Sequence, residues 1–249
     1  MTTPRFLIVA TGYNCGKYVK PCYDSVMAQA RDDAKLIMIS DGSTDHTSFE
    51  LKMCDEATTI SYQSNEGAAK RRYEAIRQYA QEQTIVVLMG MDDELLPGAL
   101  DRIEEEYRRG KWMTYGNWID QWGDMNAVGL HFPDDVHRDR SYRKVSYRST
   151  APNTFYRFLF DQIPEDDFKI NGKWVDTTTE SELMFSCLEM CGKNRIGIIE
   201  EPIYLYNRLL TNGTQKRLGQ KYKNEIYARV TARPKRNLFK GTNYEIDKL

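Results

Sequence analysis

Thr84-Ile-Val-Val-Leu-Met-Gly-Met-Asp-Asp-Glu94 is the stretch on which the reading of this chain turns. Thr84–Leu88 is a short, β-branched apolar run of the kind that fits a strand buried on both faces, and it leads directly into a glycine-containing acidic loop. Working outward, the same pattern recurs. Arg5–Ala10 leads into Thr11-Gly-Tyr-Asn14, Lys35–Ile39 into Ser40-Asp-Gly-Ser-Thr-Asp45, and Thr58–Tyr62 into Ser64-Asn-Glu-Gly67, with a fifth strand at Trp112–Tyr115. Between them Lys17–Ala30, Thr47–Cys54, Ala68–Gln81 and Pro97–Arg109 have helical character. Strands alternating with helices predict an α/β fold, with a Rossmann-like, mostly parallel sheet flanked by helices. In such sheets ligands sit beyond the carboxyl ends of the strands. Four successive strand ends here carry polar, glycine-bearing or acidic loops, which core packing does not require.

The rest of the chain is less periodic. Residues 117–150 read as a long loop region rich in Trp, Asp, His and Arg. Asn153–Ile163 and Glu180–Met190 return to helical patterning, and Ile196–Tyr206 reads as a terminal strand or hairpin. With 249 residues, 41% hydrophobic and 29% charged, the chain can bury a sizeable core and is neither collagen-like nor disordered. Its apolar runs are too short to cross a bilayer, and its first residues carry no leader-like apolar segment. The five cysteines are scattered without a C-x-x-C pair, which predicts free thiols in a reducing, cytoplasmic setting. Net charge is -1, but Arg208–Lys240 holds ten bases against the single acid Glu225. That imbalance predicts either an anionic partner or a solvated terminal helix.

Three constellations carry chemistry. Two adjacent carboxylates, Asp92 and Asp93, repel unless a cation or hydrogen bonds compensate them, so they suit a divalent metal; Asp93-Glu94 before a helix would alternatively favour its dipole. Asp41 precedes the caps of the next helix and is left free to accept from a base N–H or a ribose hydroxyl. Lys70, Arg71 and Arg72 crowd the start of a helix whose dipole prefers anions, a conflict that a docked diphosphate resolves.

These segments, in order and at matching spacing over roughly the first hundred residues, resemble the family-two glycosyltransferases of the GT-A fold. The residues concerned are Phe6–Asn14, Tyr18, Ser25-Val26, Gln29, Ile39–Asp45, Asn65–Ile76 and Leu88–Pro97. The resemblance implies a nucleoside-diphosphate sugar as donor, with a UDP-sugar favoured, and a divalent ion, Mn or Mg, on its diphosphate. By position, Thr11, Tyr13, Asn14, Asp41, Asn65, Gly67, Lys70, Arg72 and Asp92 would bind the donor, and Asp92 and Asp93 the metal. Two departures stand out: the family often writes two acids where this chain has Ser40-Asp41, and often Asp-x-Asp where the first acid is here Gly90.

Inverting members of the family take a carboxylate from the second half as general base, within reach of the acceptor hydroxyl. Glu180 is the first choice, with Asp176 and Glu182 as rivals; Thr179 to Glu182 also has capping-box spacing, which frees Glu180 for chemistry. Trp118 and Trp122, one turn apart if helical, offer faces for an acceptor sugar. The expected organisation is a GT-A domain over 1–206, its donor half 1–116 and acceptor half 117–206, followed by a basic C-terminal extension over 207–249. Two acceptors are expected in order: a saccharide of a surface glycan, then hydroxymethylated duplex DNA held by the basic segment. A nucleotidyltransferase, which would attack the α-phosphate, and a silent sugar-nucleotide-binding module stand behind these.

Overall fold

A computed structural model describes residues 4–126, 129–209 and 214–240. The donor-side strands are β1 (Phe6–Gly12), β2 (Ala34–Ser40), β3 (Thr58–Ser61) and β4 (Ile85–Gly90), all parallel in the order β3-β2-β1-β4. Phe6 to Ala10 and Ile85 to Met89 are buried throughout, because helices cover both faces of the sheet. These helices are α1 (Gly16–Met27), the short α2 (Thr47–Glu50) and α3 (Ala68–Tyr79). Register matters most for function. Thr11 lies beside Gly90 and Gly12 beside Ser40, so the loops leaving β1, β2 and β4 open along one rim.

The sheet then changes direction. After β5 (Glu94–Leu95) and α4 (Ala99–Arg108) comes β6 (Met113–Asp120), with the two-residue β7 (Met125–Asn126) on its edge. α5 (Asp134–Asp139) lies in the segment read from sequence as loop, and β6 itself runs five residues past the predicted strand. β8 (Asn153–Tyr156) is a correction: helical patterning was expected from Asn153, but these four residues form a strand, and only Arg157–Phe160 (α6) turns helical. All four are buried because β8 lies antiparallel between β4 and β6, where Thr154-Phe155-Tyr156 suits a pleated site. A small hairpin, β9 (Lys169–Ile170) with β10 (Lys173–Trp174), precedes α7 (Ser181–Met190) and β11 (Ile196–Tyr206). β11 runs parallel to β6 and antiparallel to β5, completing a nine-stranded sheet. Its end, Tyr206, lies beside Asp120, so the carboxyl ends of β4, β6 and β11 share the rim.

The last described element, α8 (Thr214–Thr231), is kinked at Gly219. The basic C-terminal segment is woven into the body. Val230 is buried in the main core, and Ile226 packs with Ala69 and Val175. Phe239 stacks on Phe158 and meets the edge of Trp112. Much of its charge is satisfied internally: Arg233 and Arg236 reach Glu182, Arg236 also pairs with Asp167, and Arg229 pairs with Glu225.

Candidate active site

Three loops build the rim, and each is tied down by its own residues. Asn14, with φ 51°, accepts the Thr44 N–H at 2.7 Å on its side-chain oxygen and donates its backbone N–H to Ser43 Oγ, lashing the β1 loop to the β2 loop. Asp41 does the same between β2 and α3. Its two oxygens accept from Glu66 N–H (3.1 Å), Gly67 N–H (2.7 Å) and Arg71 Nε (2.7 Å). The expectation of a free Asp41 is therefore corrected: the carboxylate is buried and its acceptors are engaged within the protein. Asn65 completes the clasp by donating to the Asp41 carbonyl at 2.9 Å. Gly42, at φ +70°, is where only glycine fits, since a Cβ would collide with the Ser64–Asn65 backbone.

The bases at the start of α3 resolve their conflict with the dipole internally as well. Arg71 is buried over the Tyr62 ring at 3.5 Å and holds Asp41 and Glu74, while Lys70 pairs with Glu66 and Glu74. The expected docking of a diphosphate on Lys70 is thus not needed to balance the helix start. Arg72 points the other way. It reaches Glu180, the Thr179 hydroxyl (3.1 Å) and the Met89 carbonyl (3.2 Å), and its Nε is buried without a partner.

At the end of β4 the chain turns at Gly90-Met-Asp92-Asp93. Asp93 is buried and accepts from the Tyr204 hydroxyl (2.7 Å) and Asn207 N–H (2.8 Å), while the same Tyr204 oxygen accepts Gly90 N–H (3.1 Å). Tyr204 thus welds the ends of β4 and β11. Burial, then the neighbouring Asp92, pushes the Asp93 carboxyl well above the usual carboxylate range, although Asn207, Tyr204 and Arg72 pull it down; burial also raises Asp92. A Cβ on Gly90 would stand 2.5 Å from Asp92 Oδ1 and 2.8 Å from Asp93 Oδ2. The two carboxylates occupy the space into which a side chain at position 90 would project.

A divalent ion fits this arrangement. Two carboxylates that resist ionisation together face one cleft and gain from a cation between them. Among the described residues no cluster of three or more His, Cys, Asp or Glu could enclose an ion by itself. That donor set suits Mg or Mn, which bind through one or two carboxylates and take their remaining ligands from phosphate and water.

Arg72, Gly90, Asp92, Asp93, Trp118 and Glu180 line one cleft of about 480 Å³. Glu180 opens α7, where the helix N-terminus favours its charge. Burial works to raise its pKa, but the charge and hydrogen bonds of Arg72 outweigh burial and hold it below the usual range. The rivals fall elsewhere. Glu182 is buried against Arg143 (2.9 Å), with Arg233 at 3.3 Å, and lies outside the cleft lining. Asp176 is outside the cleft lining and faces Tyr222 of α8. Trp118 contacts Tyr206 with ring centroids 4.9 Å apart, whereas Trp122 is exposed, with Arg208 over its ring, and does not line the cleft. Thr11, with an unpartnered buried hydroxyl, and Tyr13 stay with the β1 loop outside this lining.

Tyr147, Tyr204, Tyr206 and Lys223 line the cleft and were not named from the sequence. Tyr204 and Tyr206 carried a signal, since residues two apart on a strand share a face. Burial first, then Asp93 and Asp92, pushes Tyr206 up to about 12, so it is a hydroxyl donor at neutral pH. Tyr147 and Lys223 carried none, coming from regions without sheet periodicity.

The sequence pattern described as glycosyl transferase family 2 matches residues 7–161. A teichoic acid poly(glycerol phosphate) polymerase of Staphylococcus epidermidis is 30% identical over 111 residues, 41% of this chain and 15% of that protein. The chain thus spans a small part of that relative's length. Among solved structures, glucosyl-3-phosphoglycerate synthase from Mycobacterium tuberculosis, in complex with Mn2+, UDP and glucosyl-3-phosphoglycerate, superposes with a TM-score of 0.63. It is 14% identical, with 92% of this chain and 81% of that one covered. S. aureus TarS 1–349 gives 0.59 at 16% identity, covering 91% and 70%. The mannosyltransferase PcManGT from Pyrobaculum calidifontis, with GDP-Man and Mn2+, gives 0.54 at 16% identity, covering 91% and 65%. The fold is shared with all three, and the match over most of the sheet places the chain in glycosyl transferase family 2.

Proposed function

We propose that the protein transfers a sugar from a nucleoside-diphosphate donor to an acceptor hydroxyl by single displacement with inversion. The observation that carries this reading is the meeting of Glu180, Arg72, Asp92 and Asp93 in one cleft at the strand ends. Residues 1–116 take the donor, and 117–206 supply base and acceptor wall. Glu180, ionised at neutral pH, accepts the acceptor's hydroxyl proton as the oxygen bonds to the anomeric carbon. The bond from that carbon to the β-phosphate oxygen breaks, its electron pair leaving with the diphosphate, and Arg72 stabilises the charge that develops there. Asp92, with Asp93, would hold the divalent ion, which when bound supplies charge stabilisation to the diphosphate. A UDP-sugar is the favoured donor; UDP accompanies the M. tuberculosis neighbour, while GDP-Man accompanies the Pyrobaculum one.

For the acceptor we favour a saccharide of a surface glycan, met on the side of Trp118 and Tyr206. Hydroxymethylated DNA is the weaker reading, because Arg229, Arg233 and Arg236 of the basic segment are committed to Glu225, Glu182 and Asp167. No helix among the described residues is long and apolar enough to cross a membrane. The five cysteines are free and buried, which agrees with a reducing, cytoplasmic location.

The test is a release screen with Mn or Mg and a panel of nucleoside-diphosphate sugars, with glycan or hydroxymethylated DNA acceptors. Free nucleoside diphosphate from one donor, abolished by a chelator, is the expected result. Pyrophosphate as product would establish the nucleotidyltransferase instead, and no turnover with any pair would favour the silent module.

A second expectation concerns pH. In Arg72→Met the counter-charge that depresses Glu180 is gone and burial is opposed only by its backbone and Thr179 hydrogen bonds, so its pKa rises. Because Glu180 works only when ionised, the acid limb of the kcat/KM profile should move to higher pH. An unmoved limb would disconnect Arg72 from the base.

A further inference from the structure

Trp122 stands outside the cleft, and its surroundings hold it there firmly. Asp120 closes the turn from β6 to β7: its Oδ1 accepts the N–H groups of Trp122 and Asp124, each at 3.0 Å. The Asp120 carbonyl also accepts the Gly123 N–H at 2.9 Å, with Gly123 at φ +83°. Just past β11, Arg208 pairs its guanidinium with Asp120 Oδ2 at 3.1 Å and gives its backbone N–H to Gln121 Oε1 at 3.0 Å. The same guanidinium lies over the Trp122 ring, 6.0 Å from its centroid. Even so, Trp122 stays 62% exposed. A large apolar ring fixed in water by a turn this well bonded forgoes the burial that would favour it elsewhere.

That ring continues a line of aromatic faces that begins inside the cleft. Tyr204 pairs with Trp118 and Tyr206 with Asp120 in the register of β11 and β6. Residues two apart on a strand share a face, so Trp118, Asp120, Tyr204 and Tyr206 stand on one side of the sheet. Trp118 and Tyr206, with ring centroids 4.9 Å apart, line the cleft. Asp120 comes next along that face and draws Arg208 onto it, and Arg208 carries the line to Trp122. Strand rise limits the Cα separation of Trp118 and Trp122 to about 13 Å, room for more than one sugar ring. Met125, paired with Ile119, falls on the opposite face.

The charges around the ring decide what it meets. Arg208 is balanced by Asp120, and Asp124 is exposed in the same turn, so this ridge offers no excess positive charge to a phosphate chain or an anionic lipid. A neutral sugar suits it: the C–H face of the sugar lies on the indole, and its hydroxyls meet the guanidinium and carboxylate at the edge. We propose that Trp122 binds a further saccharide unit of the acceptor, remote from the unit that presents its hydroxyl to Glu180, so that the protein extends a neutral oligosaccharide rather than a single sugar. This rests on the transferase reading above and adds to it the acceptor's length and charge.

The experiment uses the full chain, Mn2+ and the donor from the release screen. The acceptors are glucose, galactose, mannose and N-acetylglucosamine, with their linear oligomers up to the pentasaccharide. In the parent, kcat/KM for the acceptor should rise about tenfold or more from single sugar to trisaccharide, the scale of one stacked ring. Trp122→Ala should abolish most of that rise, Trp122→Phe should restore part of it, and Met125→Ala should retain it. The loss should fall on acceptor KM rather than on kcat, because the ring lies away from the reacting atoms. Thermal unfolding of each variant verifies that the fold is retained. The same rise in Trp122→Ala, no rise with length in the parent, or turnover confined to phosphate-bearing acceptors such as hydroxymethylated DNA would overturn the assignment while leaving the transferase reading standing. If no donor releases its diphosphate, the transferase reading fails and this assignment falls with it.

Discussion

Replacing Glu180 by Gln should lower kcat by about 10²–10⁴-fold, the range over which a positioned general base acts. The change is nearly isosteric, and Gln can still accept from Arg72, so thermal unfolding should be close to that of the parent. Donor binding should be preserved or strengthened, because Arg72 is released from a carboxylate that competes with the diphosphate for it. The effect therefore falls on kcat rather than on donor KM. Asp176→Asn is the matched control: that carboxylate faces α8 outside the cleft lining, and its loss should leave turnover within a few-fold of the parent. Steady-state kinetics on a donor from the release screen decide the matter. If Glu180→Gln retains turnover within fivefold, the base lies elsewhere.

The largest effect on stability is expected at Arg143. Its guanidinium is buried and donates to Glu189 (2.8 Å), Glu182 (2.9 Å) and the Val230 carbonyl (2.8 Å), joining the former loop region, α7 and α8. Burial opposes its charge, yet the two glutamates raise its pKa. In Arg143→Met both carboxylates stay buried; Glu182 keeps Arg233 and Arg236, at 3.3 and 3.6 Å, as salt-bridge partners. Breaking a buried ion cluster by removing one partner costs about 3–5 kcal/mol. For a domain of this size that corresponds to a fall in Tm of about 10 °C. Chemical denaturation measures it, with the exposed Lys144→Met as the neutral comparison. The triple variant Arg143→Met, Glu182→Met, Glu189→Leu should recover part of the loss, since the penalty comes from the stranded charges. A fall below about 1 kcal/mol would mean that solvent reaches the cluster.

These two sites differ in how far they could be read from the sequence. The place of Glu180 on the cleft was legible because it opens an apolar helix after the Asp176–Thr179 turn, where the family resemblance looks for a carboxylate. Asp92 and Asp93 were legible because an apolar strand ends on them. The four parallel strands of the first half announced themselves for the same reason, since strands buried on both faces must be continuous apolar runs. Asp41 was misjudged because its partner Arg71 lies 30 positions away, and only the fold, which brings the start of α3 to the loop after β2, reveals the pairing. Glu182 drew attention as a capping acid, while its actual partner, Arg143, sat in a segment without periodicity. β8 was hidden by its length. Four residues running into a helical turn give little room for alternation to show, and the strand exists because β4 and β6 leave a gap of its width.

The weave of the C-terminal segment bears on how the protein can be produced in pieces. A fragment ending at Tyr206 would keep every strand of the nine-stranded sheet, and sequence composition would recommend it as a tidy catalytic unit. It would also lose the Asn207 N–H that holds Asp93, the Arg233 and Arg236 partners of Glu182, and the Ile226, Val230 and Phe239 side chains that cover α3, α7 and Trp112. Such a fragment should express as an aggregation-prone species with an exposed apolar face. A cut placed after Lys240 retains every one of these contacts.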